Sequence, residues 1–243
     1  MNEILFIFIG ILLPFVGTSI GALPTLFIKK MNDGLKSVLF GFSAGVMLAA
    51  SVWSLLIPSI EAVGKGNGII QSVVGYFSGI ALMLVIDFVT EKRNGSQGGV
   101  EKMVFAVTVH NLPEGMAVGI ALCGALNGGA SYASALILAL GVAIQNVPEG
   151  AIVSLPLYQS GTSKIKALFL GVLSGAVEII GAVFALAATA FISALLPASL
   201  AFAAGSMHWV TFKELFSRAS TRFGALFASL GFAVMMLLDV IFG

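Results

Sequence analysis

Residues 131–157 read SYASALILALGVAIQNVPEGAIVSLPL, and this stretch decides the fold class. It holds a single charged side chain, Glu149, in an otherwise apolar or weakly polar run. A helix needs about 20 predominantly apolar residues to cross the hydrocarbon core of a bilayer. A strand of a membrane β-barrel would instead alternate apolar and polar residues over about ten positions. We therefore predict a membrane-spanning helix that carries a carboxylate in its interior.

The rest of the chain has the same character. Apolar residues make up 58% of its 243 residues, charged residues make up 9%, and the mean hydropathy is +1.07. This composition excludes a water-soluble globular domain. The net charge of +1 excludes the strongly basic surface that a nucleic-acid partner requires. We predict one all-α integral membrane domain over residues 1–243, with eight transmembrane helices at 4–28, 38–60, 69–90, 103–125, 131–157, 165–190, 195–214 and 221–242.

The basic residues predict the orientation of these helices, because cytoplasmic loops retain Lys and Arg. Only Lys65 lies in a loop after an even-numbered helix. The loops after odd-numbered helices contain the other eleven of the twelve: Lys29, Lys30, Lys36, Lys92, Arg93, Lys102, Lys164, Lys166, Lys213, Arg218 and Arg222. Odd helices are therefore expected to run toward the cytoplasm, with both termini outside, in the plasma (cell inner) membrane.

A short internal repeat links the two ends of the chain. Phe42–Met47 and Phe202–Met207 both read F-x-A-G-x-M, and Gly79–Asp87 and Gly231–Asp239 both read G-x-A-x-M-x-x-x-D. The predicted topology turns helices 6–8 upside down relative to helices 1–3, and inverted repeats are common in transporters. We therefore expect a 3+2+3 arrangement with the functional site on helices 4 and 5.

Helices 4 and 5 carry the motifs H-N-L-P-E-G, His110–Gly115, and Q-N-V-P-E-G, Gln145–Gly150. An ionisable side chain at the bilayer centre costs about 2.5 to 3.5 kcal/mol on insertion scales, so Glu114 and Glu149 require a partner or a task. The proline before each glutamate kinks its helix and frees a backbone carbonyl. The alternative interpretation is structural: the motifs mark kinks whose glutamates bond freed backbone groups or each other.

The spacing within the two motifs indicates a metal site. His110 and Glu114 lie four residues apart and share a helix face, and Gln145 and Glu149 repeat that geometry. Imidazole and carboxylate ligands suit a divalent transition metal such as Zn²⁺ or Fe²⁺. One imidazole, two carboxylates and an amide are therefore expected to converge between helices 4 and 5.

Three further residues extend this site. Asn111 and Asn146 each lie three residues before a motif glutamate, which favours a second, adjacent site that shares the glutamates. Glu178 lies in the middle of apolar helix 6, where we expect a functional carboxylate or, alternatively, a helix-packing hydrogen bond.

Six more polar residues are candidates for the transport pathway: Ser54, Glu61, Asp87, His208, Glu214 and Asp239. Glu61, Asp87 and Asp239 have an alternative role as solvated carboxylates at the membrane interface. His208 is alternatively a hydrogen-bonded packing residue, and Ser54 alternatively bonds its own helix backbone.

His110–Gly115 resembles the H-N-x-P-E-G signature of the ZIP family of metal transporters, and Gln145–Gly150 resembles the Q-N-x-P-E-G form of its GufA-like branch. Helix 2, over Phe42–Pro58, also looks like its counterpart there, so the resemblance covers nearly the whole chain. It implies transport of divalent metal ions, zinc first but also iron, manganese and cadmium, toward the cytoplasm by an elevator-like motion. The metal would be a substrate rather than a cofactor, and the protein would not be an enzyme. A homodimer is common among such transporters.

The resemblance also implies the ligands of a binuclear centre. One site would consist of Met47, His110, Glu114, Gln145 and Glu149. The second would consist of Asn111, Asn146 and Glu178 together with the two motif glutamates.

The chain departs from the family pattern at three places. Asn146 stands where some relatives have an aspartate, which removes one negative charge from the second site. Residues 91–102 contain no histidine and therefore lack a His-rich metal-sensing loop. Glu214 matches the start of an E-L-x-P-E pattern, but Arg218 replaces its second carboxylate.

Two other classes of function stay open beside a carrier of divalent ions in the lipid bilayer. A metal-gated channel or sensor is one, and saturable uptake with a modest maximal rate would argue against it. An intramembrane metallohydrolase with a dinuclear centre is the other. The sequence has no H-E-x-x-H motif, and cleavage assays would distinguish this class from a carrier.

Overall fold

The structure is a computed structural model that describes residues 2–28, 31–63, 68–94, 100–191 and 196–242. Side chains are described within these ranges except at helix positions 63, 68, 90–94, 100–107, 109, 110, 189–191 and 242. All regular structure in the described residues is helical, as the composition predicts.

The helices follow the apolar segments of the sequence. Helix α1 spans Glu3–Ala22 and continues as a 3₁₀ turn, Leu23–Leu26; α2 consists of Asp33–Ala50, a π-helical segment Ser51–Leu56, and Ile57–Val63. Four uninterrupted helices follow: α3 Gly68–Asn94, α4 Val100–Leu126, α5 Tyr132–Gln159 and α6 Lys164–Phe191. Helix α7 consists of Leu196–Val210, a π-helical segment Thr211–Leu215, and Phe216–Arg218, and α8 spans Arg222–Phe242.

Short polar side chains start several helices. The side-chain oxygen of Asn32 accepts the backbone N–H of Leu35 (2.7 Å), and Ser131 accepts that of Ser134 (2.9 Å). Such caps satisfy backbone donors that have no partner inside the helix. Helix α2 therefore begins five residues before the apolar segment predicted at 38–60, because its first turn is polar.

Within the described residues, six helices are long and apolar enough to cross a membrane. The described apolar part of α4, Asn111–Leu126, is shorter, and so is the first part of α7, Leu196–Val210. Eight transmembrane spans therefore stay a prediction, whereas an all-helical membrane protein is confirmed. The six helices are Glu3–Leu26, Asp33–Ala62, Ile69–Val89, Tyr132–Gln159, Lys164–Ala188 and Arg222–Ile241.

Helix contacts divide the described residues into two groups of four. Helix α1 packs mainly on α5, and α4 packs mainly on α6; in the other group α2 packs on α8, and α3 packs on α7. Contacts of α2 with α5 and of α4 with α7 join the groups.

The helices differ in how much of each is buried. Of the α5 span, 78% is buried, against 22% for α3 and α8. The stretch that decides the fold class is thus the central helix, while α3 and α8 face outward.

Candidate metal-binding site

The glycine of each P-E-G motif sets how closely a neighbouring helix approaches. A Cβ atom added to Gly115 on α4 would collide with the backbone carbonyl oxygen of Glu178 on α6. A Cβ atom added to Gly150 on α5 would collide with the carbonyl oxygen of Thr18 on α1. Small residues allow such close backbone approach between membrane helices. The two glycines therefore place Glu178 beside α4 and Thr18 beside α5.

Three carboxylates lie buried together at this crossing. Glu114 is 1% exposed, Glu149 is 5% exposed and Glu178 is fully buried. Both Glu149 and Glu178 lie close enough to Glu114 to interact with it electrostatically. Burying several like charges is costly unless cations or hydrogen-bond donors compensate them. The site therefore favours occupation by a positive ion.

Hydrogen-bond donors of the protein itself compensate the buried Glu178 carboxylate. Its Oε1 accepts hydrogen bonds from the Thr18 hydroxyl (2.9 Å) and from the Asn111 side-chain amide (3.0 Å). Its Oε2 accepts from the Asn146 side-chain amide (2.8 Å). The same two amides also donate to the carbonyls of Ser174 (3.1 Å) and Pro14 (3.3 Å). Helices α1, α4 and α5 thus hold this carboxylate of α6 in one position.

Glu114 has the opposite environment. Among the described side chains, neither of its carboxylate oxygens has a hydrogen-bond partner, and the same is true of Asn111 Oδ1 and Gln145 Oε1. The Gln145 amide lies near Glu114 but not at hydrogen-bond geometry. Its Nε2 instead donates to Glu149 Oε1 (3.2 Å) and to Asn146 Oδ1 (3.3 Å). Buried polar atoms normally have partners, so four such acceptor oxygens on α4 and α5 indicate a place for a cation.

His110 and Met47 are also predicted ligands of this site, and the structure describes only the Met47 side chain. His110 lies in α4, one turn before Glu114, and its side chain falls outside the described ones. Met47 is fully buried in the apolar core, one turn from Ser43, whose hydroxyl donates to the Gln145 carbonyl (3.0 Å). Among the described side chains, no three His, Cys, Asp or Glu residues form a group that could hold a metal ion. The amide oxygens and His110 are therefore needed to complete the predicted ligand set.

Two of the predicted pathway residues contact each other, and a third stands apart. The Ser54 hydroxyl in the π-helical segment of α2 donates to Asp239 Oδ1 on α8 (2.6 Å). Asp239 Oδ2 is buried without a partner among the described residues. Glu61 lies exposed near the end of α2.

The other three pathway residues lie on or against α7. Asp87 of α3 accepts hydrogen bonds from Trp209 Nε1 (2.6 Å) and Lys213 Nζ (2.7 Å). His208 Nδ1 pairs with the Tyr76 hydroxyl (2.8 Å), as the packing alternative expects, and its buried Nε2 has no partner in the described residues. Glu214 pairs with Arg218, at 2.8 Å between Oε2 and Nη2.

Two cavities lead from one end of the molecule to the buried carboxylates. A vestibule of about 580 Å³ is lined by the start of α2 and the ends of α5 and α7, including Lys36, Gln159 and Arg218. A second space of about 20 Å³ is lined by Glu114, Glu149, Glu214 and Arg218 among others. The vestibule lies on the side where the basic residues predict the cytoplasm.

Sequence reasoning missed several residues of this region, namely Thr18, Phe40, Ser43 and Ser174. A Thr or Ser in an apolar helix commonly bonds its own backbone, so the sequence offered no signal for their contacts. One sequence feature marks the contact between Thr18 and Glu178. The dipeptide Gly-Ala begins three residues after each of them, as Gly21-Ala22 on α1 and Gly181-Ala182 on α6. The contact therefore joins equivalent positions of the two helices.

Comparison with known proteins agrees with this geometry. The family model described as ZIP Zinc transporter matches residues 100–239, from the start of α4 to near the end of α8. Zinc transporter ZIPB of Bordetella bronchiseptica is 33% identical over 94% of this chain and 79% of its own length. Zinc transporter GufA of Myxococcus xanthus is 33% identical over 96% and 97%, and Zinc transporter ZupT of Chlorobaculum parvum is 31% identical over 90% and 89%. The chain therefore belongs to the ZIP family, whose members are membrane transporters and not enzymes.

Proposed function

We propose that this protein carries Zn²⁺ across a bilayer toward the cytoplasm, with Fe²⁺, Mn²⁺ and Cd²⁺ as further substrates. The observation that carries the proposal is the set of buried acceptor oxygens on Glu114, Asn111 and Gln145 that have no partner within the described part of the chain. The names of the relatives as zinc transporters support the choice of metal. Zinc is the transported substrate in this proposal and not a resident cofactor.

The first ion is expected between α4 and α5. Glu114 and Glu149 supply the negative charge, and His110 supplies the imidazole that zinc prefers. Gln145 and Met47 complete the proposed set. The supporting feature is that Glu114 has no hydrogen-bond partner among the described side chains, so a bound cation would remove an energetic cost instead of displacing those hydrogen bonds.

The second ion of a binuclear centre is expected at Asn111, Asn146 and Glu178. Both amides direct their NH₂ groups at the Glu178 carboxylate. An ion could bind there only after the amides rotate and present their oxygens, which breaks the hydrogen bonds that both amides donate to Glu178 and to the backbone carbonyls of Ser174 and Pro14. We therefore propose that the second site fills after the first and with lower affinity.

An inverted repeat and an elevator-like motion are part of the proposal. The two π-helical segments support the repeat, because each begins nine residues after the Phe of its F-x-A-G-x-M motif: Ser51 after Phe42, and Thr211 after Phe202. The helix pairs support it as well, since α2 on α8 and α7 on α3 are equivalent pairs under the repeat. The group of α1, α4, α5 and α6 would carry the metal past the other group.

The closest backbone contacts between helices are related by the same proposed repeat. Gly45 lies against the backbone of Ala228, and Gly205 lies against the backbone of Tyr76. Each glycine holds the same place in its F-x-A-G-x-M motif, and each contacted residue lies three positions before the Gly of G-x-A-x-M-x-x-x-D. These equivalent contacts support two similar halves with a shared site between them.

The direction of transport, the location of both termini outside the cell, and the plasma membrane rest on the distribution of Lys and Arg. Assembly as a homodimer rests on the family alone. We propose a carrier instead of a metal-gated channel because the family consists of membrane transporters and the buried carboxylates form a binding site inside the helices.

Uptake of radioactive zinc into proteoliposomes tests the function. We expect saturable uptake that depends on the reconstituted protein, with Fe²⁺, Mn²⁺ and Cd²⁺ as competitors that rank the substrates. Uptake that rises linearly with zinc concentration would favour a channel. The absence of uptake with any of the four metals would contradict transport.

A further inference from the structure

Three side chains lie between the vestibule and the small space beside the buried carboxylates, because Phe40 of α2, Ile152 of α5 and Arg218 of α7 line both cavities. Glu214 of α7 lines the small one. An ion that leaves Glu114 and Glu149 for the vestibule would therefore pass Glu214 and Arg218, the charged residues among these four. The contacts among these residues determine which charges a departing ion encounters.

Arg218 is held in this position by two partners. Its Nη2 lies 2.8 Å from Glu214 Oε2, four residues earlier on the same helix face. The centre of its guanidinium group lies 5.4 Å from the centroid of the Phe40 ring, within the range of a cation–π interaction. Arg218 and Glu214 are only 35% and 21% exposed, so water screens the pair incompletely. A cation fixed to the protein thus already occupies the Glu214 carboxylate.

We propose that Arg218 is a built-in counter-cation that prevents Glu214 from holding the metal ion on its way to the vestibule. This inference rests on the proposed transport function. A free carboxylate beside the exit would bind a departing divalent ion and delay its release. The tethered guanidinium competes with that ion at a high effective concentration, and it repels the ion as well.

The other charged residues that line the vestibule, Lys36 and Asp33, cannot take the place of Arg218. Lys36 and Asp33 pair with each other at 3.0 Å, and the Asp33 side chain is almost fully exposed at 96%. Neither residue lines the small space beside Glu114. In the described part of the chain, Arg218 is the cationic side chain that borders both cavities.

Two readouts on purified protein test the proposal. The first is the number of zinc ions bound per chain at equilibrium dialysis, and the second is the maximal rate of zinc uptake by proteoliposomes. We expect Arg218→Gln to bind about one further Zn²⁺ per chain, because the freed Glu214 becomes a ligand. Its maximal uptake rate is expected to fall about tenfold, which corresponds to about 1.4 kcal/mol of additional binding of the departing ion at Glu214.

A double variant and a matched control separate this effect from a general loss of charge. Arg218→Gln with Glu214→Gln should return both readouts toward the wild-type values, because no carboxylate remains to hold the ion. Arg222→Gln removes the same charge from an exposed position at the start of α8 and should change neither readout.

Several outcomes would overturn the proposal. One is an Arg218→Gln variant with the wild-type number of ions and the wild-type rate; another is a double variant that keeps the extra ion. If Arg218→Gln does not fold, Glu214→Gln alone decides: a bound ion lost from this variant would mean that Glu214 holds metal despite Arg218. The dialysis readout does not require transport, so wild-type protein that binds zinc but does not carry it would contradict the proposed function and still test this inference.

Discussion

Glu114 and Glu178 lie at similar depth on neighbouring helices, but their surroundings differ completely. Glu178 accepts three hydrogen bonds from Thr18, Asn111 and Asn146. Glu114 accepts none from the described side chains, although it is 1% exposed. The difference teaches that one carboxylate is a fixed part of the helix packing, whereas we expect the other to be available to a ligand. The sequence places both glutamates inside helices, but it does not show which of them the packing supplies with hydrogen-bond donors.

The largest expected effect comes from Glu114→Gln. Loss of a charged ligand should reduce zinc uptake by roughly 100-fold or more, because loss of even an outer partner of a metal ligand typically costs 10- to 100-fold. The metal-free protein should nevertheless gain thermal stability, because the new amide donates to nearby acceptor oxygens and one fewer carboxylate is buried. Uptake and melting temperature in the same detergent measure both effects.

The exposed Glu3→Gln variant on α1 is the control for Glu114→Gln and should keep uptake and melting temperature unchanged. If Glu114→Gln transports like the wild type, the paired P-E-G motifs are structural kinks and the proposed site is wrong. A fall in the melting temperature would mean that Glu114 has a structural partner after all.

A smaller effect, on stability first, is expected from Gly115→Ala. Its new Cβ meets backbone of Glu178 that cannot rotate away, so α4 and α6 must separate. We expect a loss of about 1 to 3 kcal/mol, typical of overpacking, together with reduced uptake because Glu178 and its donors shift. Urea or heat denaturation of the purified protein gives the magnitude.

Gly124→Ala on the same helix is the matched control. Its added Cβ would meet Leu196 side-chain atoms at 3.5 Å, which is an ordinary contact. We expect little change in stability for this variant. Equal losses for the two variants would contradict a specific role for the close approach at Gly115.

The smallest effect of the three is expected from Glu178→Gln, and its sign is opposite to that of Glu114→Gln. The amide NH₂ of the new side chain would face donors from Asn111, Asn146 and Thr18, so at least one hydrogen bond is lost. The metal-free protein should lose about 1 kcal/mol of stability. A gain in melting temperature, as for Glu114→Gln, would remove the contrast between the two carboxylates.

Much of the site could be predicted from the sequence because its signals are local. The i, i+4 spacing of His110 with Glu114 and of Gln145 with Glu149 follows from helix geometry alone. The buried position of Glu178 followed from its apolar neighbours. Which residues hold Glu178 did not follow, because Thr18 lies 160 positions away in sequence.

The exact helix boundaries also could not be predicted from the sequence. The apolar segments locate the helices, but α2 starts at Asp33 because Asn32 caps it, and a hydropathy pattern does not register a polar first turn. The π-helical segments at Ser51–Leu56 and Thr211–Leu215 have no periodic signature in the sequence. Their equivalent positions became visible only when the F-x-A-G-x-M motifs were placed on helices α2 and α7.

The sequence by itself determined that this chain is a helical membrane protein, that two P-E-G motifs bring carboxylates into its interior, and that it resembles ZIP transporters. These properties depend on composition and on spacings of four residues, which a helix preserves wherever it packs. The tertiary structure decided which carboxylate receives hydrogen bonds from the described side chains and which does not, and it paired Arg218 with Glu214 beside the small cavity. These properties depend on contacts between helices distant in sequence, whose register and crossing only the packed fold determines.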